Sequence, residues 1–313
     1  MIEIPPSLTR NSRKRDLFGG DPYFRDAWDD IVNLWPDSRE QIMRLHQTAL
    51  VVFRPDAIVS RRIEFALEIF NAKGLTPVAV TTFKYDRMRV REGWRYQLNI
   101  ATRDRIDVMD MLLTCGRSIM VLYRQDLPDA QLPTTVWLSE MKGPSLPAGR
   151  APGHLRFVLG KAQVSVLTFV HISDEPADVV RELGVFLPYA ARQRALRSVN
   201  AGRDVTTKLR AVLNEQYASS AEHDLLMANV IQKIRLIIRE PPHRKECDPL
   251  VDRLNAIQAG ASSDWRGLLK TLKDRRIQLD RWDEIAIAAE LCQRHFPDML
   301  PVIPDVGLDA WTR

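Results

Sequence analysis

The sequence predicts an α+β chain: a ferredoxin-like split βαβ domain with a four-stranded antiparallel sheet, followed by an all-α domain. Three observations lead there. Four apolar runs of strand size alternate with helical patterns in the order strand, helix, strand, helices, strand, loop, strand, helix, the order of a split βαβ unit. Beyond Pro188 only amphipathic helical faces recur. The length of 313 residues suits two domains with an added arm. The expected division is 1–45 as an N-terminal arm with short helices, 46–199 as the split βαβ domain, and 200–313 as the helical domain.

In chain order, the first ~20 residues read as a mobile arm, its cluster Arg13-Lys14-Arg15 either solvated or meeting phosphate. Phe24, Trp28, Ile31 and Val32 give a helical face, and Trp35-Pro36 ends it before a second short helix from Ser38. Thr48–Phe53 (TALVVF) is a buried strand, stopped by the proline of Arg54-Pro55-Asp56. Ile63, Ala66, Leu67 and Phe70 form the next helix, closed by Lys73-Gly74. Leu75–Phe83 is the second strand. Residues 85–115 hold two helices, the second carrying Val108, Met111 and Leu112, and Ser118–Tyr123 is the third strand. Thr135–Met141 is a short helix, and the Gly/Pro-rich stretch 142–154 is a long loop. Val164–Val170 is the expected fourth strand, ending at His171, with a helix over Glu175–Phe186. The last region has faces at Val205/Leu209/Val212, at Leu226/Val230/Ile234/Ile237, at Trp265/Leu268/Leu269/Leu272 with Ser262 or Ser263 as cap, and at Trp282/Ile285/Ala289/Cys292/Phe296. A polar connector fills 241–249.

Composition removes several function classes. Apolar residues make up 45% and charged residues 27%, an ordinary globular balance. No run reaches the ~18–20 apolar residues of a membrane span, and the opening residues have no apolar signal core, so neither a membrane protein nor a secreted one is expected. Cys115, Cys247 and Cys292 are too few and scattered for a disulfide framework or a cysteine-rich zinc site; a cytoplasmic setting is expected. The net charge of +5 is spread, with 25 basic against 23 acidic residues over 1–187 and 20 against 17 over 188–313. No basic domain suited to nucleic acid stands out.

Chemistry concentrates around His171. Of six histidines, His46, His223, His243 and His295 lie in polar or helix-end surroundings, and His154 lies in the Gly/Pro loop. His171 instead follows an apolar strand and precedes a loop into a helix, so it is held rigidly at a solvent-facing edge. Glu182, eleven residues on, can return to the imidazole, take the proton of one ring nitrogen and leave the other as a nucleophile, with Ser173 in the same network. The alternative is a packed strand-end histidine. Arg54 and Arg156 near that imidazole would suit a phosphoryl group; the alternative is that both are solvated or in surface ion pairs. No GxxxxGK[ST] loop is present, which excludes a P-loop NTPase.

Three blocks carry a resemblance: TALVVFRPDAIVSRRIEFALEIFNAKGLTPVAV, DRIDVMDMLLTCGRSIMVLY and TFVHISDEPADVVRELGVF. Over residues ~46–187 the chain resembles the nucleoside diphosphate kinase family. The resemblance implies transfer of the γ-phosphoryl of a nucleoside triphosphate to a diphosphate through a phosphohistidine at His171, oriented by Glu182 and Ser173. It places Arg156, Asp56, Tyr96 and His154 with Arg54 around the nucleotide phosphates. It also implies Mg²⁺ carried by those phosphates, nucleoside di- and triphosphates as ligands, and a homo-oligomer. Residues 200–313 lie outside it and leave room for a protein partner.

Departures from the family pattern pull the other way. Arg54 stands for a lysine, Thr135 for an arginine, Met141 for a threonine, Thr168 for an asparagine, Val108 for a base-stacking aromatic, and Ile172 adds bulk after the histidine. Besides the enzyme, a nucleotide-binding pseudoenzyme that senses or scaffolds is therefore expected as the alternative, and a helical interaction module with a merely structural kinase-like part as a third.

Overall fold

The computed structural model describes residues 2–126, 132–240, 248–305 and 307–312. Of the connector expected at 241–249, residues 241–247, with His243 and Cys247, lie outside these.

Three helices precede the sheet: α1 (Ser12–Phe18), α2 (Pro22–Leu34) and α3 (Ser38–His46). Asn11, Asp21 and Asp37 cap them by accepting first-turn N–H groups. The first twenty residues are not the mobile arm expected. Ile4, Leu8 and Phe18 are buried, and Lys14 of the basic cluster is buried too. Its ammonium lies 2.7 Å from Glu175 and 2.6 Å from Asp178. Glu175 also accepts from Thr9 Oγ1, from Arg10 N–H (2.9 Å) and from the indole of Trp311 (3.0 Å). Burial works against the Lys14 ammonium, but Asp178 and Glu175 outweigh it and hold its pKa above the usual lysine value. Of the cluster, Lys14 is thus drawn inward by paired carboxylates, while Arg13 stays exposed.

The central unit runs β1 (Thr48–Phe53), α4 (Pro55–Val59), α5 (Ile63–Ala72), β2 (Thr76–Lys84), α6 (Arg87–Gly93), α7 (Arg103–Leu113), β3 (Arg117–Arg124), α8 (Thr134–Lys142), α9 (Leu155–Val158), β4 (Val170–Ile172) and α10 (Pro176–Phe186). The strand order is β2-β3-β1-β4, with every pairing antiparallel. This is the split βαβ sheet that the order of elements predicts. Strand β1 is buried at all positions and sits between β3 and β4. Helix α10 packs on β1 and α2. Its Gly184 lies so close to α2 that a Cβ there would stand 2.1 Å from the Tyr23 carbonyl.

The fourth strand departs from expectation. It spans Val170–Ile172 rather than Val164–Val170, and His171 is its middle residue, opposite Val52. Phe169 has φ +60°, a left-handed conformation that breaks an extended run. The preceding carbonyls are used differently: Val166 accepts from Arg54 (3.0 Å) and Val164 from Arg150 (3.1 Å). Side-chain guanidinium groups replace a neighbouring strand.

Helices α11 (Tyr189–Ala201), α12 (Thr206–Ala218), α13 (Met227–Arg239), α14 (Pro249–Gln258), α15 (Trp265–Asp274), α16 (Arg281–Leu291) and α17 (Asp309–Thr312) follow. Helices α11 and α12 pack on β2, where Val205 donates its N–H to the Pro77 carbonyl (2.9 Å). Helix α16 packs on α7, α13 and α15. The cap of α15 is Asp264, not Ser262 or Ser263. Helix α16 ends at Leu291, so Cys292 and Phe296 leave the expected helical face. Beyond it the chain crosses the turn before α7: Ala101 pairs antiparallel with His295, Thr102 N–H donates to Arg294 (3.1 Å), and Phe296 N–H to Ile100 (3.0 Å). Among the described residues no helix is long and apolar enough to cross a membrane.

Candidate active site

His171 is delivered to a cavity of about 570 Å³ by the short strand β4. Its neighbours Val170 and Ile172 point to the opposite, buried face of the sheet, so the bulk of Ile172 does not crowd the ring. The imidazole is partly exposed, its side chain 15% accessible, with Trp94 (5.5 Å between ring centroids) and Phe186 (6.5 Å) edge-on to it. Nε2 lies 2.8 Å from Glu182 Oε1. Ser173 Oγ donates to the other carboxylate oxygen at 2.7 Å. A carboxylate only accepts, so Nε2 carries the proton and Nδ1 keeps its lone pair. Among the described residues nothing hydrogen-bonds Nδ1. The eleven-residue spacing to Glu182 works because strand, loop and helix α10 double back over the sheet.

Positive charge gathers beside this ring. Arg54 caps β1 and lines the cavity; its guanidinium donates to Thr168 Oγ1 and to the Val166 carbonyl, and its Nε lies 3.3 Å from Asp56. Arg156, on the single turn α9, also lines the cavity; Nη1 donates to the Gly143 carbonyl (2.6 Å), and Nε is buried without a partner. Burial, opposed by Asp174, and the neighbouring charges of Arg54 and Arg150 pull Arg156 down to about 9. It still carries its charge at neutral pH, so the repulsion appears as attraction for an anion.

The other expected site residues divide. Tyr96 and His154 line the cavity. The Tyr96 hydroxyl donates to Asp21 (3.0 Å), and His154 Nδ1 accepts the Ala151 N–H (2.8 Å). Asp56 and Ser173 are fully buried and do not reach the cavity wall; they act through Phe169 and Glu182. Thr135 and Met141 do not line the cavity either, and Thr135 Oγ1 is spent on the Ser173 carbonyl. Val108 is buried in the core, so no residue at that position faces a ligand.

Several cavity residues lie outside the sequence reading. Lys142 lines the wall and donates to Ile172 O (3.0 Å) and Asp174 Oδ1 (2.6 Å), bracing the histidine strand. That pairing, with Ser139, outweighs burial and holds Asp174 below the usual carboxylate value. Arg105 on α7 and Arg294 and His295 beyond α16 line the same cavity. His295, whose sequence surroundings are polar, is brought here by its bridge to Ala101.

Fold and site together define a split βαβ domain presenting an oriented imidazole and several arginines to one cavity. Solved structures similar to the chain include the nucleoside diphosphate kinase of Aquifex aeolicus, at 16% identity over 46% of this chain and 97% of that one, TM-score 0.38. Others are the halophilic nucleoside diphosphate kinase of Halobacterium salinarum in complex with CDP, at 20% over 46% and 89%, TM-score 0.38, and the apo enzyme of Encephalitozoon cuniculi, at 18% over 46% and 95%, TM-score 0.37. No family model matches the sequence. No curated protein matches it significantly.

Proposed function

We propose that the chain is a nucleoside diphosphate kinase-like phosphotransferase working through His171. The observation that carries this reading is the imidazole itself, gripped at Nε2 by Glu182 and open at Nδ1 to a cavity lined by Arg54 and Arg156. In the first half-reaction Nδ1 attacks the γ-phosphorus of a nucleoside triphosphate. The new P–N bond forms as the bond to the bridging oxygen breaks, and the diphosphate leaves with that electron pair. A second diphosphate then takes the phosphoryl back, restoring the imidazole. Glu182 stabilises the positive charge that builds on the ring, and the arginines meet the equatorial oxygens.

Magnesium belongs to this reading as a companion of the phosphates, whose charge it neutralises. Three of the cavity carboxylates are already engaged, which suits that role: Asp174 holds Lys142, Asp178 holds Lys14, and Glu182 holds His171. The described donor cluster with metal-like spacing, His223, Asp280 and Asp283, lies elsewhere and is occupied by the Lys233 ammonium. In the same reading residues 46–199 are the transferring unit, the chain forms a homo-oligomer, and residues 200–313 leave room for a protein partner.

A nucleotide-binding pseudoenzyme is the second reading. Thr135 and Met141, at two expected clamp positions, do not line the cavity. Incubation with γ-³²P-ATP and Mg²⁺ separates the two. Acid-labile, base-stable label that disappears in His171→Ala supports transfer. Unlabelled protein whose melting temperature still rises with nucleotide supports the sensor.

A further inference from the structure

We propose that the segment beyond α16 completes the nucleotide site, Arg294 acting with Arg105 as a cationic wall that binds the phosphate chain, and His295 fixing Arg105 in place. This rests on the phosphotransferase reading and extends it to residues outside the resemblance.

Both arginines line the cavity that holds His171. Among the described residues neither meets a carboxylate at ion-pair distance, and the same holds for Arg150 and Arg156. The two cavity carboxylates without an ion pair, Glu140 and Asp305, are exposed and remain solvated. Among the described residues Arg105 has one side-chain partner, the His295 Nε2. For that contact the ring nitrogen must accept, so His295 is neutral. Burial and the charges of Arg105 and Arg294 lower its pKa and keep it so.

The arginine charges also act on one another. Arg54 and Arg294 both bear on Arg105 and on Arg150, and Arg54 on Arg156. A polyanion lying among them removes that repulsion, which like charges around a low-dielectric cavity otherwise retain. The geometry is held by backbone. Thr102 N–H donates to Arg294 (3.1 Å), Phe296 N–H to Ile100 (3.0 Å), Val302 N–H to Tyr96 (3.0 Å), and Asn99 Nδ2 to Leu300 (2.8 Å). Arg266 on α15 ties Asp107 of α7 at 2.6 Å. Arg294 is therefore presented from a strap fastened along the turn that starts the helix of Arg105, not from a free tail.

The test is calorimetric titration of the full chain with ADP, adenosine and pyrophosphate, for wild type, Arg294→Ala, Arg294→Lys and Arg105→Ala. Arg294→Ala and Arg105→Ala are expected to weaken ADP and pyrophosphate about tenfold each, with unchanged melting temperature and unchanged adenosine binding. Arg294→Lys should recover part of the loss, and raising salt should narrow the gap. Wild-type ADP affinity in Arg294→Ala overturns the wall. Wild type that binds pyrophosphate through Arg294 but not ADP overturns the nucleotide reading and leaves the anion wall standing. Binding of neither overturns both.

Discussion

Asp56 accepts the backbone N–H of Phe169 at 2.9 Å, from a position with no solvent exposure. Phe169 is the left-handed residue that turns the chain into β4, two places before His171. Its ring is packed so tightly on Gly160 that a Cβ there would fall 1.8 Å from it. Asp56 thus sets the backbone from which the imidazole projects, while touching neither the ring nor the cavity. Asp56→Ala leaves the Phe169 amide and Arg54 without their carboxylate. A loss of about 3–5 kcal/mol in urea unfolding is expected, with a smaller one for Asp56→Asn, which keeps an acceptor.

Glu182→Gln tests the orientation of the histidine. An amide can donate to Nε2 and shift the ring proton to Nδ1, the nitrogen that must be bare. Labelling of His171 from γ-³²P-ATP should slow by roughly 10²–10⁴-fold. Nucleotide binding followed by melting temperature should persist. Equal labelling in the variant would remove Glu182 from the mechanism.

Arg156 lines the cavity with its Nε buried and without a hydrogen-bond partner. Arg156→Ala should slow phosphohistidine formation about 10²–10³-fold, and Arg156→Lys should recover little, since a point charge does not reproduce a planar fork. Single-turnover labelling reads both.

Acid should loosen the helical region through Asp283. Burial opposes its ionisation, but hydrogen bonds from His223 and Lys233 outweigh it and hold it down to about 2 against the ordinary 3.8. The unfolded chain takes up this proton first. The stabilisation is therefore whole above pH 3.8 and is lost as pH falls through 2. Asp283→Asn should melt below wild type at pH 7, and the gap should close toward pH 2 in a series of thermal scans.

What the sequence discloses follows what has a period or a short reach. Strands β1 and β3 are continuous apolar runs bounded by breakers, and Thr48–Phe53 matches its expected limits. His171, Ser173 and Glu182 were legible because one strand, one loop and one helix join them. The fourth strand was overlong because the apolar run 164–170 looks extended, whereas the Phe169 turn and the guanidinium groups of Arg54 and Arg150 decide its path. The burial of Lys14 is not legible locally because its partners Glu175 and Asp178 lie some 160 positions away. Arg105 and Arg294 stayed hidden for a similar reason: the strap that joins them has neither a helical nor a strand period.

Glu175 gathers the segments of α1 and α17 onto one side chain. Thr9, Arg10 and Lys14 reach it from the front and Trp311 from the rear, while it caps the helix that bears Glu182. Removing the segment around residues 9–14 or the turn of Trp311 consequently strips partners from a side chain four positions downstream of His171. A fragment cut to the sheet alone would hold His171 without the contacts that seat Glu175 behind it.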